Sequence, residues 1–149
     1  TETELARMAD RRAQCVDSVR VTYERARGDL GFNSPAAPQP STVMVTRVTV
    51  RPDMLEQFTA TVKNELVPAL KKSGQASLLA RQVEFGGTRN VFSFRSPVGK
   101  WAELDGDNAL VKGLGREAAV KLSAKLNSMA NAEWMIYTYM PGMSLPQQP

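Results

Sequence analysis

The spacing of apolar residues in the middle of the chain predicts one strand followed by one long helix. Residues 42–51 are rich in β-branched side chains, which is typical of a strand. Apolar residues then recur at intervals of four, as in a helix: Met54, Phe58, Val62, Leu66 and Leu70. Asp53 and Glu56 have the spacing of a capping box at the start of this helix, and Gly74 is a stop signal. Pro68 falls inside the helix and predicts a kink near its last turns.

The second half of the chain predicts three more strands and one more helix. Two strands, at Ser77–Phe85 and Asn90–Arg95, are joined by a hairpin turn at Gly86-Gly87. The stretch 96–107 is irregular, with a short helical turn at Trp101–Leu104. A helix at Ala109–Met129, which breaks near Gly113 and Gly115, is followed by a last strand at Glu133–Met140. The order β-α-β-β-α-β predicts the ferredoxin-like α+β unit, in which two helices cover one face of a four-stranded antiparallel sheet.

The N-terminal part of the chain repeats the closing half of this unit. Residues 2–16 have helical spacing of apolar side chains, and Val19–Tyr23 alternates like a strand. The stretches 5–30 and 119–145 read alike, and a step of 114 positions pairs Tyr23 with Tyr137. The stretch 28–41 is rich in proline, glycine and serine. The pattern therefore predicts a helix-strand segment at 1–31, a remnant of a preceding repeat, then a linker at 32–41 and a ferredoxin-like domain at 42–145.

The first and last predicted strands of this unit carry apolar side chains on both faces. Residues 43–50 and 134–140 show no clean alternation of apolar and polar positions, although an antiparallel sheet with one solvated face normally does. Helices can cover only one face of the sheet. We therefore expect a second sheet to cover the other face, supplied either by a second copy of the chain or by a tandem unit.

The stretch Val43–Met140 resembles the dimeric α/β-barrel superfamily, which includes antibiotic-biosynthesis-monooxygenase-like and NIPSNAP-like domains. The resemblance rests on RPDMLEQFTATVKNELVPALKKSG, which begins at Arg51, and on the following strand that carries Arg81. It covers about two thirds of the chain and includes no catalytic motif. It implies that two ferredoxin-like units, from two chains or from one tandem chain, press their open sheet faces together into a barrel.

Composition excludes several common chemistries. The chain of 149 residues has no histidine and one cysteine, Cys15, so histidine-dependent nucleophiles, histidine-ligated haem, histidine- or thiolate-based zinc sites and iron–sulfur clusters are excluded. Asp105 and Asp107 lack the remaining positions of a calcium loop, and a role for Asp107 or Asn108 as a helix cap is favoured. We expect no metal and no cofactor.

Charge and hydropathy argue against two further partner classes. The net charge of +4 is scattered, and residues 1–40 balance six basic against six acidic side chains, so no basic stripe for nucleic acid is present. No apolar run approaches the ~20 residues of a membrane span. The expected partners are therefore a second copy or a tandem unit, together with a small-molecule ligand, and the compartment is not indicated.

Arginines on three predicted strands form the candidate ligand site. The set expected to bind a ligand is Arg47, Arg81, Ser93, Arg95, Trp134 and Tyr137. If the arginines share the open face, their planar guanidinium groups suit carboxylate or enolate oxygens. The alternative is that each arginine lies near a sheet edge and extends to water. Trp101 and Trp134 line a pocket in the first interpretation and anchor the core or an interface in the second.

Three functional hypotheses remain open at this point. The first is a small-molecule-binding or structural barrel protein, without a recognisable catalytic constellation. The second is a cofactor-independent monooxygenase or isomerase acting on a small aromatic or enolisable compound, which the family resemblance implies and which would place Arg47, Tyr137 and a tryptophan around an enclosed pocket. The third is an interaction adaptor that uses the N-terminal helix.

Overall fold

Strands and helices alternate along the chain much as the apolar spacing predicts. The computed structural model describes residues 2–15, 18, 21–34, 41–99 and 108–140. Its strands are β1 (Tyr23–Ala26), β2 (Phe32–Asn33), β3 (Thr42–Val50), β4 (Ser77–Phe85), β5 (Val91–Pro97) and β6 (Ala130–Thr138). Its α-helices are α1 (Glu2–Cys15), α2 (Leu55–Thr61), α3 (Val67–Lys72), α4 (Ala109–Leu114) and α5 (Arg116–Met129). Short 3₁₀ turns at Gly28–Leu30 and Pro52–Met54 and a π-helical turn at Val62–Leu66 complete the described elements.

The strands form one antiparallel sheet in the order β1-β4-β5-β3-β6, and the two-residue β2 adds to the far end of β4. The four strands β4, β5, β3 and β6, with the helical connections β3-to-β4 and β5-to-β6, form the ferredoxin-like α+β unit that the sequence predicts. The sheet is open and does not close into a barrel within the described chain. β1 and β6 are its two edges.

One face of the sheet carries the hydrophobic core. Phe92 is fully buried at the centre of β5, where its ring contacts Phe58 of α2 at 5.7 Å between centroids and stacks on Phe94 at 6.3 Å. Because alternate residues of a strand point to opposite faces, Phe92 and Phe94 fix which face of β5 meets the helices. We call the other face, which the helices do not cover, the open face.

The kink expected at Pro68 takes the form of a π-helical turn. The N–H of Val67 donates to the carbonyl of Val62, five residues earlier, in place of the usual four. Proline has no N–H to donate and its ring crowds the preceding turn, so the helix widens just before it. The sequence predicted a kink near the last turns, and the irregularity observed is this π-helical turn just before the proline.

The two predicted helix starts have different outcomes. The capping box at Asp53 and Glu56 is wrong: the helix begins with a 3₁₀ turn without a side-chain cap, and Asp53 instead forms an ion pair with Arg51 at 2.8 Å. The cap on the next helix is confirmed, since Asn108 Oδ1 accepts from the N–H of Val111 at 3.0 Å. Asn108 was predicted because an amide side chain can satisfy a free N–H in the first turn.

The first strand lies later in the chain than its alternating pattern predicts. It runs over Tyr23–Ala26 and shares only Tyr23 with the expected strand Val19–Tyr23. Val21 is 77% exposed, so its apolar side chain is not part of a buried sheet. Further along, Leu30 is 1% exposed and belongs to the core cluster, and Phe32 pairs with Leu78. Residues 23–34 are thus part of the same sheet and core as residues 42–140.

Several predictions fall outside the described residues. These are the short helical turn with Trp101, the carboxylates Asp105 and Asp107, Val19, the linker stretch 35–40 and the end of the repeat beyond Met140. Two methionines of the predicted helices pack in the core region: Met129 is 2% exposed and Met54 packs against the core cluster.

A candidate ligand site on the open face

The strand register brings Arg47, Ser93 and Arg81 into one row. Arg47 of β3 lies opposite Ser93 of β5, and Ser93 lies opposite Arg81 of β4. Residues directly opposite each other on antiparallel strands point to the same face, and Ser93 stands between two phenylalanines that point to the helices. All three side chains therefore lie on the open face, with the serine in the middle and an arginine on each side.

Arg95 lies in the next row of the same face. It is opposite Val45 of β3 and Leu79 of β4, two positions along β5 from Ser93. The three arginines of the candidate set thus lie on adjacent strands, close to one hydroxyl. Ser93 itself is 5% exposed, so the hydroxyl belongs to a largely desolvated part of the face.

Glu24 of β1 reaches this group across β4. Its Oε2 accepts a hydrogen bond from the Ser93 hydroxyl at 2.9 Å and lies 3.6 Å from Nη2 of Arg95. Its neighbour in the sheet is Val83 of β4, which confirms that Glu24 points to the open face. The glutamate was not among the residues predicted from sequence, because the expected strand ended at Tyr23. Extending that alternation by one residue would have placed Glu24 on a strand.

Arg95 has an unsatisfied donor. Its Nε is buried and has no hydrogen-bond partner, while Nη2 of the same guanidinium faces Glu24. A guanidinium binds a carboxylate best when Nε and Nη2 donate side by side to its two oxygens. In the observed contact Glu24 faces Nη2 only, and Nε is left without an acceptor. A buried donor without an acceptor is rare in folded proteins and marks a place where an additional acceptor would stabilise the structure.

The balance of charge on the open face is positive. The described strands place three arginines on this face, Arg47, Arg81 and Arg95. They also place two carboxylates there, Glu24 and Glu133, so one positive charge is in excess. Glu133 lies opposite Arg47 in the strand register. Within the described residues, neither Arg47 nor Arg81 forms an ion pair within 4.0 Å. The two arginines that flank Ser93 are therefore available to an anion.

The two aromatic members of the predicted site lie on different faces. Tyr137 is opposite Val43 and points to the open face, where it is 55% exposed and its hydroxyl donates to the sulfur of Met135 at 3.4 Å. Trp134 is opposite Thr46, which alternates with Arg47, so its indole points to the other face and is 70% exposed. An odd number of positions separates the two residues on β6, and this alone keeps Trp134 away from the arginines.

Arg27, the residue after β1, anchors this segment on the helix-covered face of the sheet. Its Nε and Nη2 donate to the two carboxylate oxygens of Asp29 at 2.9 and 2.8 Å, and its N–H donates to the carbonyl of Ala80 at 2.8 Å. The guanidinium lies over the ring of Phe92 at 5.9 Å. The hydrogen bond from Arg27 lowers the pKa of Asp29, and the same bond raises the pKa of Arg27. This pair is a structural anchor for the segment that carries Glu24.

A groove lies apart from the open face, between the helices. It has a volume of about 490 Å³ and is floored by small and apolar side chains of α3, α4 and α5, including Pro68, Leu114 and Leu122. Of the lysines on its rim, Lys121 pairs with Glu117 and Lys125 with Glu65. None of the residues predicted to bind a ligand lines this groove.

Metal ligation and membrane insertion find no support within the described residues. In that part of the chain, no group of three or more cysteine, aspartate or glutamate side chains could hold a metal ion. None of the helices there is both long and apolar enough to cross a bilayer.

Comparison with known proteins identifies no family for this chain. No family model matches the chain, and no curated protein matches it. The chain is similar to a solved structure, a "putative monooxygenase" from Lactobacillus acidophilus NCFM, with 15% sequence identity and a TM-score of 0.48. The similarity covers 72% of this chain and 50% of that one, so the chain spans about half the length of the structure it matches.

Proposed function

We propose that this protein binds a small molecule with anionic oxygens on the open face of its sheet, and that a second copy of the chain covers that face. The observation that carries the proposal is the row in which Arg47 and Arg81 flank the buried hydroxyl of Ser93, with Arg95 in the next row. A hydroxyl donor and guanidinium groups from adjacent strands make a surface that can surround a carboxylate or enolate from several sides.

The desolvation of the site supports binding over a purely solvated role for these arginines. Ser93 is 5% exposed and Nε of Arg95 is buried, whereas an arginine that extends to water at a sheet edge keeps its head group hydrated. β5 and β3 are interior strands of the sheet, so neither Arg95 nor Arg47 is at an edge. An anion at this place would satisfy groups that the folded chain leaves unpaired.

Exposed apolar side chains support a covering layer. Leu79 and Tyr137 point to the open face and are 44% and 55% exposed. Leu79 lies opposite Arg95 on β4 and Tyr137 lies on β6, so a second sheet could bury both and enclose the ligand between two layers. We expect the second sheet to come from a second copy, in a homodimer.

The geometry favours binding over the cofactor-independent oxygenase or isomerase reaction. That hypothesis needs Arg47, Tyr137 and a tryptophan around one pocket. Trp134 points to the opposite face of the sheet, and Trp101 lies outside the described residues. A site that combines guanidinium groups and one hydroxyl can hold an anion without a further reactive group.

A titration with simple probes tests the binding site. Benzoate is added to the ¹⁵N-labelled protein, and benzyl alcohol serves as the uncharged probe of similar shape. We expect benzoate to shift resonances of β3, β4 and β5 with a dissociation constant of about a millimolar, and benzyl alcohol to shift none. Arg81→Gln should weaken benzoate binding several-fold, because it removes an exposed guanidinium beside Ser93.

The matched control is Arg25→Gln, which removes an arginine from the opposite face of the neighbouring strand. It changes the net charge equally and should leave benzoate binding unchanged. Equal effects of the two substitutions, or no binding of benzoate to the wild-type protein, would contradict a site on the open face. Light scattering tests the covering layer separately: a dimer is expected, with Tyr137→Asp weakening it, and monomer at all concentrations would contradict it.

A further inference from the structure

The Glu24 carboxylate occupies the position where an anionic ligand would bind. It accepts from the hydroxyl of Ser93 at 2.9 Å, a normal hydrogen bond, but its distance of 3.6 Å from Nη2 of Arg95 is too long for one. Within the described residues it is the one carboxylate that contacts an arginine of the open face at less than 4.0 Å. Glu24 thus holds part of the position and leaves the rest unfilled.

The unfilled part is the side of the Arg95 guanidinium at Nε. A carboxylate seated between Ser93 and Arg95 could accept from the serine hydroxyl, Nη2 and Nε together. Glu24 does not reach Nε, which remains buried without a partner. Because this atom is closed to solvent, an outside anion reaches it only after a neighbouring group moves, and Glu24 is the charged neighbour of this guanidinium within the described residues.

The strand that carries Glu24 is suited to release it. β1 has four residues, forms an edge of the sheet, and has an irregular register between Tyr23 and Glu24. Edge strands of this length open more readily than the interior of a sheet. Arg81 offers Glu24 an alternative partner after its release. Arg81 is diagonal to Glu24 across the β1–β4 pair and forms no ion pair within the described residues.

We propose that Glu24 is an internal competitor at a carboxylate site, which a ligand displaces when it binds. The ligand carboxylate takes the place between the Ser93 hydroxyl and the Nε and Nη2 atoms of Arg95, and Glu24 moves toward Arg81. The competitor keeps Arg95 partly neutralised when no ligand is bound and raises the ligand concentration needed for occupancy. This inference rests on the proposed function, because it concerns the same face and the same class of ligand.

The test compares two glutamates that differ mainly in the face they occupy. Glu24→Gln removes the competing charge, and Glu84→Gln removes a glutamate that pairs with Arg25 at 3.4 Å on the other face of the same strand pair. We expect Glu24→Gln to tighten benzoate binding about three- to tenfold and Glu84→Gln to leave it unchanged, since the contact being removed is an ordinary partly exposed ion pair. Glu24→Asp, which shortens the side chain but keeps its charge, should tighten binding to a smaller degree.

A second readout follows Arg95 directly. Benzoate should shift the ¹H–¹⁵N resonance of Arg95 Nε in the wild-type protein, and Arg95→Lys should abolish the tightening caused by Glu24→Gln. Suppose that benzoate binds the wild-type protein and that Arg81→Gln weakens this binding. If Glu24→Gln and Glu24→Asp then leave benzoate binding unchanged or weaken it, Glu24 is not a competitor, although the binding site itself is supported. If benzoate does not bind the wild-type protein, the proposed function itself fails. Melting curves of each variant show whether an altered affinity comes from an altered fold.

Discussion

Glu24 and Ser93 are hydrogen-bonded at 2.9 Å although their strands, β1 and β5, are not neighbours in the sheet. The bond passes over β4 and links an edge strand to the buried centre of the open face. This link makes the N-terminal segment part of the candidate site. It also means that the charge on β1 and the hydroxyl on β5 should be studied together.

Removing the hydroxyl should have a measurable but modest effect on stability. Ser93→Ala removes the hydroxyl that donates to Glu24, and among the described residues the Glu24 carboxylate then has only its contact with Arg95. We therefore expect the free energy of unfolding to fall by about 1 kcal/mol. Urea denaturation measures it. Ser128→Ala removes a serine hydroxyl that donates to a carbonyl on the exposed side of α5, and a smaller loss there is the control. Equal losses would show that the Ser93 contact is no stronger than a surface hydrogen bond.

Gly113 should not tolerate a methyl group. It lies where α4 approaches α3, and a Cβ built there would stand 2.2 Å from the carbonyl oxygen of Ala69. Alanine normally stabilises a helix by about 1 kcal/mol relative to glycine, but forcing two backbones apart costs about 1–3 kcal/mol. We expect Gly113→Ala to lower the free energy of unfolding despite its better helix propensity.

Gly28→Ala is the matched control for this prediction. A Cβ at Gly28 would have no heavy atom within 4 Å. We expect its melting temperature to stay the same or rise slightly, because alanine reduces the conformational freedom of the unfolded chain. A Gly113→Ala protein as stable as the wild type would show that the two helices can separate at no cost.

Asp29 should contribute to stability at neutral pH and lose this contribution in acid. Its pKa is lowered in the folded protein by the hydrogen bond from Arg27. A carboxylate with a lowered folded pKa stabilises the folded state above its ordinary pKa of about 4, and the contribution disappears as the pH falls through the lowered value. The carboxylate is half-exposed, so we expect no more than about 1 kcal/mol.

Asp29→Asn should therefore unfold more easily than the wild type at neutral pH and equally easily in strong acid. Urea denaturation at a series of pH values measures the difference between the two proteins. Asp53→Asn, which removes a carboxylate paired with Arg51 elsewhere on the surface, shows what the loss of one such charge does by itself. A difference between wild type and Asp29→Asn that persists in strong acid would assign the effect of the substitution to packing.

The helix α1 should contribute little to the stability of the isolated chain. Its apolar residues Leu5 and Met8 are 69% and 68% exposed, and a lone helix of 14 residues is marginal in water. We expect deletion of residues 1–18 to change the free energy of unfolding by less than about 0.5 kcal/mol, and amide exchange in α1 to be fast. This deletion keeps β1 and Leu30, which belong to the sheet and core.

The deletion also tests the adaptor hypothesis from the sequence. If α1 serves to dock another protein, its removal abolishes that association without changing the fold. A large loss of stability on deletion would instead assign α1 a structural role within its own chain.

The sequence predicted the ferredoxin-like unit because its elements are long and regular. β3, the helical run from Leu55 and the hairpin at Gly86 all follow apolar periodicity or turn chemistry that acts locally. The alignment of Arg47, Ser93 and Arg81 is different, because it depends on the register between strands that are distant in the chain. The residue types gave the candidates, and only the pairing of β3, β5 and β4 brings them together.

The errors also have local physical causes. Val19 and Val21 alternate as a strand would, but Val21 is exposed and the strand starts at Tyr23, where pairing with Phe85 of β4 becomes available. Trp134 was grouped with the arginines by residue type, whereas a single step along β6 moves a side chain to the other face. Glu24 was missed because the expected strand ended one residue before it, and its contact with Ser93 also depends on reaching over a whole strand.

The unequal edges of the sheet have a consequence for how the protein would behave in concentrated solution. The nine-residue strand β6 pairs with β3 on one side, and within the described residues the backbone groups on its outer side are unpaired and accompanied by few charges, which makes a template for strand addition. The β1 edge is short, irregular and charged, with Arg25 and Glu24 on it, and these features discourage further growth. When two molecules pair along β6, each covers the other's open β6 edge, and only the β1 edges remain exposed. Edge-to-edge association should therefore stop at two molecules and not continue into filaments.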